Sequence, residues 1–307
     1  MRKKRFWNVN RILVPTDFSE PASRALASAV ALANVYRADV WLLHIPMPYA
    51  PEVYGIGGEV MLAADPNGTV MDQIEQKMAE AVEVCVDAEV PVHALQQSGF
   101  NVGEIIVAEA NRVEADVIVI GTHGRRGLAR FMIGSVAEYV ARHAPMSVLM
   151  VPKNGALRPR RVLVPTDFSE DAKSAVEIGK ELADARDAIL DVLHVVEPLP
   201  LPTVFTLGSR DLYQYLPGLR ENILRELHGL VAGAQVITST HIAEGHAAHT
   251  IATFAATHDT GLIVMTPHGA SGVARYVLGS TTEKVCRSAP CSVLIARPAA
   301  IASPKAV

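Results

Sequence analysis

Cysteine is scarce: Cys85, Cys286 and Cys291 are the only three in 307 residues. So odd and widely spaced a set provides no framework of paired bridges, fits a reducing compartment and leads us to expect a cytoplasmic protein. The spacing matches no zinc pattern either. An excess of one charge is also missing. Lys and Arg number 28 against 32 Asp and Glu, for a net charge of −4. The balance is even along the chain, with 14 basic and 17 acidic residues in 1–155 and 14 and 15 in 156–307. Neither half is a basic module, so no nucleic-acid surface and no anionic-membrane surface is expected. Mean hydropathy is +0.22, yet no run of about 18 uncharged apolar residues occurs. The longest candidate, Ala25–Tyr36, is too short. Met1-Arg2-Lys3-Lys4-Arg5 has the charge of a signal-peptide start, but Asn8, Asn10 and Arg11 interrupt any apolar stretch behind it. No secretion signal is therefore expected.

What is present is a repeat. Arg11-Ile12-Leu13-Val14-Pro15-Thr16-Asp17-Phe18-Ser19-Glu20 returns 150 residues later as Arg161-Val162-Leu163-Val164-Pro165-Thr166-Asp167-Phe168-Ser169-Glu170, with nine of ten residues identical. Leu43-His44-Ile45 returns as Leu193-His194-Val195 at the same offset. His123-Gly124 returns as His268-Gly269 after 145 residues, so the second copy is five residues shorter between its second and fourth strands. A repeat of this length means duplicated domains, in line with roughly 150 residues per domain. We expect domains at 1–152 and 160–307, joined by a linker at 152–160.

Each copy alternates strand and helix. The apolar residues predict strands at 12–14, 40–45, 91–97, 117–120 and 147–151, with helices at 22–36, 70–88, 103–113 and 135–143. The second copy reads as 162–164, 172–185, 189–196, 211–230, 235–240, 247–257, 262–265, 280–288 and 292–296. This order implies an α/β fold with a parallel, doubly wound sheet in each half. Ligands of such sheets bind past the carboxyl ends of the strands, where strand order reverses.

Two strand ends carry unusual residues. Strand one ends in Pro15-Thr16-Asp17. Strand four runs into Gly121-Thr122-His123-Gly124-Arg125-Arg126-Gly127, and then Gly134-Ser135 opens a helix. Glycines allow close approach of backbone to phosphate, and a helix start offers unpaired N–H groups and a positive dipole end. Ser135 can cap the helix or donate to a phosphate oxygen. Arg125, Arg126 and Arg130 add positive charge. Asp17 can accept from ribose hydroxyls or hold Mg²⁺, or it can serve only the turn and the helix cap beside Ser19. The set suits a nucleoside triphosphate, although the chain has neither a Walker A loop nor the Gly-x-Gly-x-x-Gly dinucleotide fingerprint.

This pattern resembles the universal stress protein family, whose nucleotide-binding members carry Gly-x2-Gly-x9-Gly-[Ser/Thr] after strand four. Here it is matched by Gly121, Gly124, Gly134 and Ser135. The resemblance covers nearly the whole chain. It implies two Rossmann-like five-stranded sheets of order 3-2-1-4-5, ATP with Mg²⁺ between strands one and four, and pairing of the two domains through strand five. Whether two chains also form a homodimer stays open. The adenine is implied near Ile45 and Val195. The resulting nucleotide set is Pro15, Thr16, Asp17, Ile45, Gly121, His123, Gly124, Arg125, Gly127, Gly134, Ser135 and Val136. In the second half it is Pro165, Thr166, Asp167, Val195, Thr266, His268, Gly269, Gly272, Gly279, Ser280 and Thr281. Asp17 and Asp167 are the candidate Mg²⁺ ligands. The second copy departs from the motif: Thr266-Pro267 replaces Gly121-Thr122, and Ala270 and Ser271 replace Arg125 and Arg126, while Arg275 matches Arg130. Both halves are expected to hold nucleotide, the first more tightly.

Other residues read more plainly. His44 and His194 look packed and hydrogen-bonded, and the Cys286–Cys291 pair looks like buried thiols. His123 and His268 flank the loop in a structural or a catalytic role. His241, His246, His249 and His258 present no ligand pair on one helical face. The function expected is a nucleotide-dependent switch or sensor in a stress response. A slow ATPase and an interaction protein with vestigial pockets are the alternatives. The Pro- and Gly-rich segments 46–69 and 197–211 lie beside the expected adenine site.

Overall fold

A computed structural model describes residues 5–46, 69–122, 133–153, 155, 157, 159–198, 218–269 and 278–297. In the first half these form β1 (Arg11–Thr16), α1 (Glu20–Tyr36), β2 (Asp39–His44), α2 (Thr69–Asp87), β3 (Val92–Gln96), α3 (Val102–Arg112), β4 (Val117–Gly121), α4 (Ser135–His143) and β5 (Ser147–Val151). In the second half they form β6 (Arg161–Pro165), α5 (Glu170–Asp184), β7 (Ile189–Val196), α6 (Leu219–Val231), β8 (Thr238–Glu244), α7 (Ala247–Thr257), β9 (Leu262–Met265), α8 (Ser280–Ser288) and β10 (Ser292–Ile295). The order predicted from the sequence is reproduced. One boundary moves: β8 lies three to four residues beyond the predicted 235–240. The part of the predicted helix 211–230 at 211–217 falls outside the described residues.

The strands of each half run in the order 3-2-1-4-5, and the two five-stranded sheets meet edge to edge. They join into one ten-stranded sheet, β3-β2-β1-β4-β5-β10-β9-β6-β7-β8. The neighbours within each half are parallel. The seam is antiparallel, with Val293 opposite Met150, Leu294 opposite Leu149 and Ile295 opposite Val148. Helices cover both faces, so inner strands must be apolar on both sides. In β1, Ile12 and Val14 enter the core under α1, α2, α5 and α6, while Leu13 enters the core under the other four helices. Val117 and Val119 divide from Ile118 and Ile120 in the same way in β4.

The halves also meet above and below the seam. Arg142 of α4 contacts Glu283 of α8 at 3.2 Å, and Arg287 of α8 contacts Glu138 of α4 at 3.1 Å. Each arginine also pairs with the glutamate four residues before it in its own helix. On the opposite face the N-terminal segment reaches α5, where the Phe6 and Trp7 N–H groups donate to the Glu181 carboxylate. Trp7 is buried and packs edge-on to Tyr36 at 5.4 Å. Leu157 in the connecting segment is buried too, and its N–H donates to Ser28 Oγ at 3.3 Å.

Candidate functional site

β1, β2 and β4 end together at one edge of the sheet, with Thr16 in register with His44. The strand order reverses between β1 and β4, which leaves a crevice there. Three side-chain bonds shape the turn that leaves β1. Thr16 Oγ1 accepts the Phe18 N–H at 3.1 Å, Asp17 Oδ1 accepts the Ser19 N–H at 3.0 Å, and Ser19 Oγ accepts the Ala22 N–H at 3.4 Å as the N-cap of α1. The second half repeats them, with Thr166 to Phe168 at 3.0 Å, Asp167 to Ser169 at 3.1 Å and Ser169 to Ala172 at 3.3 Å. Phe18 and Phe168 adopt φ of 61° and 66°, a left-handed conformation that is costly for a bulky residue. Each phenylalanine packs on the histidine ending the neighbouring strand, Phe18 on His44 at 4.4 Å and Phe168 on His194 at 4.6 Å. Those histidines donate through Nδ1 to the Thr16 and Thr166 carbonyls, each at 2.8 Å. The turn and cap role of both aspartates and the packed role of both histidines are thus present in the geometry.

The strand-four side differs from its sequence reading in two respects. Gly134 and Gly279 are the N-caps, and Ser135 and Ser280 are the first helical residues, so neither serine caps its helix. The cause is local. Gly134 N–H is held by the Thr122 carbonyl and Gly279 N–H by the Pro267 carbonyl, both at 2.7 Å, which keeps the glycines extended. Neither cap supplies a side-chain acceptor, so the first-turn N–H groups at Ser135–Val136 and Ser280–Thr281 stand at the crevice uncapped by their own N-cap residues. The second respect is Gly121. A Cβ there would lie 2.9 Å from the Pro21 carbonyl oxygen, so the close approach of α1 accounts for this glycine.

His123, Gly124, Arg125, Gly127 and Gly272, with Arg126, Arg130 and Arg275, lie outside the described residues, as does most of 46–69 and 197–211. In the second half the corresponding end is visible as far as Gly269. Asp167 Oδ2 stands against the Gly269 α-carbon, in the space a Cβ would fill. The strand-one aspartate and the first loop glycine are therefore neighbours. Ile45 and Val195 are half-buried beside the crevice and pack on the same core as Val136. Pro15 is buried and Pro165 half-buried beneath the turns.

The Thr266-Pro267 departure has a physical consequence. Thr122 N–H donates to the Val151 carbonyl at 2.9 Å, adding a rung beyond β4 and β5. Proline at 267 has no N–H to donate, and β9 and β10 each end one residue earlier than β4 and β5. The loop is secured instead by threonines. Thr266 Oγ1 donates to the His268 carbonyl at 2.7 Å, and Thr282 Oγ1 donates to the Thr266 carbonyl at 2.8 Å. Burial, and next the charge of Arg297, lowers the His268 pKa, against a smaller opposing effect of Asp171.

Sequence reasoning missed Arg297. It is buried just past β10 and donates across the seam to the Ala141 carbonyl at 2.7 Å and the Met146 carbonyl at 3.0 Å. Desolvation lowers its pKa to about 10. The signal was available, since an arginine follows directly on the apolar run Val293–Ala296. Cys286 and Cys291 are buried, and desolvation raises each thiol to about 12. Among the other histidines, His241 contacts buried Asp191 at 2.9 Å and His258 stacks on Phe254 at 3.8 Å. Among the described residues no three His, Cys, Asp or Glu side chains are grouped as metal ligands. One carboxylate at each crevice suits a Mg²⁺ that arrives already bound to phosphate oxygens. No described helix is long and apolar enough to cross a membrane.

The chain is 23% identical over 304 residues to the universal stress protein E homolog of Haemophilus influenzae, covering 94% of this chain and 97% of that one. It is 31% identical over 148 residues to universal stress protein MJ0531 of Methanocaldococcus jannaschii, covering 47% of this chain and 82% of that one. A universal stress protein from Archaeoglobus fulgidus has the same fold, with a TM-score of 0.66 at 22% identity over 94% of this chain and 99% of that one. The model of the universal stress protein family matches twice, at residues 8–152 and again at 159–297. Two successive matches, each carrying its own Pro-Thr-Asp turn and glycine-capped helix, leave a single reading: the chain belongs to the universal stress protein family, in tandem form.

Proposed function

We propose that this protein binds ATP with Mg²⁺ in the crevice between β1 and β4 and acts as a nucleotide-dependent switch in the cytoplasmic stress response. Its domains would be 1–152 and 160–307, and their pairing through β5 and β10 would take the place of a dimer of single-domain chains. The observation that carries the reading is the second-half contact of Asp167 with Gly269, beside the uncapped N-terminus of α8. It brings an acceptor for ribose or metal next to a phosphate-binding helix start, as nucleotide recognition requires. In the first half Asp17 and the α4 N-terminus provide the same parts. Asp17 would hold the Mg²⁺, whose charge would offset that of the phosphates, and the base would rest against Ile45. Bound nucleotide stabilises the fold by mass action, which makes occupancy the signal. Acid extraction of the purified protein followed by nucleotide chromatography tests this directly. Released adenine nucleotide, with a thermal upshift on adding MgATP, is the expected result. Absence of both removes the proposal.

A further inference from the structure

The two helix starts proposed to receive phosphate each carry an acidic residue in the same turn. Glu138 stands in the first turn of α4 and Glu283 in the first turn of α8. A glutamate there suits an empty helix, because it meets the positive end of the dipole, but it opposes a further anion arriving at that end. Side chains of a helix lean back towards its N-terminus, which brings each carboxylate nearer such an anion. Neither carboxylate is left uncompensated. Arg142 Nη2 lies 3.4 Å from Glu138 Oε1 and 3.2 Å from Glu283 Oε2. Arg287 Nη2 lies 2.7 Å from Glu283 Oε1 and 3.1 Å from Glu138 Oε1. Each glutamate thus has one arginine from its own helix and one from the other half, and the charges of the ring cancel. Both arginines belong to the last turns of their helices, away from the crevices. They would therefore act on a bound phosphate through the glutamates, without touching it.

We infer that Arg142 and Arg287 are positioning residues shared by both crevices. Each cancels the first-turn carboxylate of its own helix and of the opposite one, so each sets the affinity of both halves for a nucleotide phosphate. This rests on the nucleotide reading given above and adds two residues that the crevices themselves do not contain. The seam becomes part of either binding site, because a side chain of one half is needed to neutralise the helix start of the other.

Titration calorimetry of the full chain with MgATP at low salt tests it in five proteins. Arg142→Met and Arg287→Met should each weaken every binding step by about two- to fivefold, the effect of one charge at a helix end, although each removes a side chain from one half only. Glu283→Gln should tighten every step by a similar factor. Arg142→Met combined with Glu283→Gln restores a neutral ring and should return to the wild-type affinity. A merely structural role predicts the reverse for that pair, since a second lost ring member adds to the damage. A binding step left unchanged by either arginine variant would overturn the inference. So would a Glu283→Gln variant that binds no more tightly than wild type, or a double variant no tighter than Arg142→Met. A wild type that binds no MgATP overturns the nucleotide reading itself, whereas wild-type binding with indifferent variants overturns this inference alone. Should circular dichroism show the arginine variants unfolded, Glu283→Gln, which keeps both arginines, still decides the outcome.

Discussion

Gly121 shows how a residue in a ligand motif can be required by packing. The Pro21 carbonyl lies where its Cβ would go, and a backbone group of a helix start cannot rotate away as a side chain can. Gly121→Ala should therefore cost about 1–3 kcal/mol, as overpacking in a tight core does. Urea denaturation without nucleotide would measure it, and a cost below about 0.5 kcal/mol would mean that α1 shifts freely. The second copy has Thr266 at this position and Asp171 in place of Pro21. His268 supplies a pH-dependent counterpart. Its pKa is lowered on folding by burial and then by Arg297, so the unfolded chain binds the proton more readily. Stability should be unaffected while the ring is neutral in both states and should fall as pH drops through about 6.5 towards the folded value. His268→Gln should flatten that acid slope relative to wild type in thermal melts between pH 7.5 and 5. Parallel slopes would remove the effect.

At the scale of elements, the turn after β1 explains why ten residues repeat almost unchanged. Thr, Asp and Ser each satisfy a different backbone N–H, and the strained Phe conformation is held between them. Losing either N-cap hydroxyl should cost about 0.5–2 kcal/mol. We expect Ser169→Ala to cost more than Ser19→Ala, because the Ser169 hydroxyl also donates to Asp167. Chemical denaturation of the two variants checks the order, and an equal cost would deny that bond any weight. Most elements were legible because the inner strands are uniform apolar runs and α1, α3 and α4 keep helical spacing. β8 was not, because it is an edge strand whose residues are all half-buried or exposed, so burial imposes no alternation on Thr238-Ser239-Thr240-His241. Of the candidate site, the strand-one turn and the helix starts at Gly134-Ser135 and Gly279-Ser280 were legible, but not that the glycine and not the serine is the N-cap. The reason for Gly121 was not, since it depends on a neighbour 100 residues away in the chain. The Asp167–Gly269 contact was invisible for the same reason.

On the scale of the whole molecule, the halves are related by near-symmetry that Arg297 breaks. The four-residue ring of Glu138, Arg142, Glu283 and Arg287 is symmetric about the seam. Exposed or half-exposed pairs of this kind contribute little each, about 0.2–1 kcal/mol. Arg297 has no such twin. Its N–H donates to Ser147 Oγ at 3.2 Å, while the matching Ser292 Oγ is buried without a partner, because the matching position 152 is a proline with no N–H. Arg297 is thus a one-sided lock, a second-half side chain that pairs the carbonyls of Ala141, near the end of α4, and of Met146 in the first half. Removing it leaves both carbonyls buried and unpaired, at about 1–3 kcal/mol for each group. The expected consequence concerns cooperativity. Both tryptophans, Trp7 and Trp41, lie in the first half, Trp7 where it meets α5, so their fluorescence follows that half and its contact with α5, while far-UV circular dichroism follows both halves. In wild type the two signals should melt together, as a continuous sheet requires. In Arg297→Met the fluorescence transition should move to lower temperature and separate from the circular-dichroism transition. If the two curves still coincide and shift by less than about 1 °C, which is about 0.6 kcal/mol for a chain this size, the seam is held by β5 and β10 alone and Arg297 is only a tolerated buried charge.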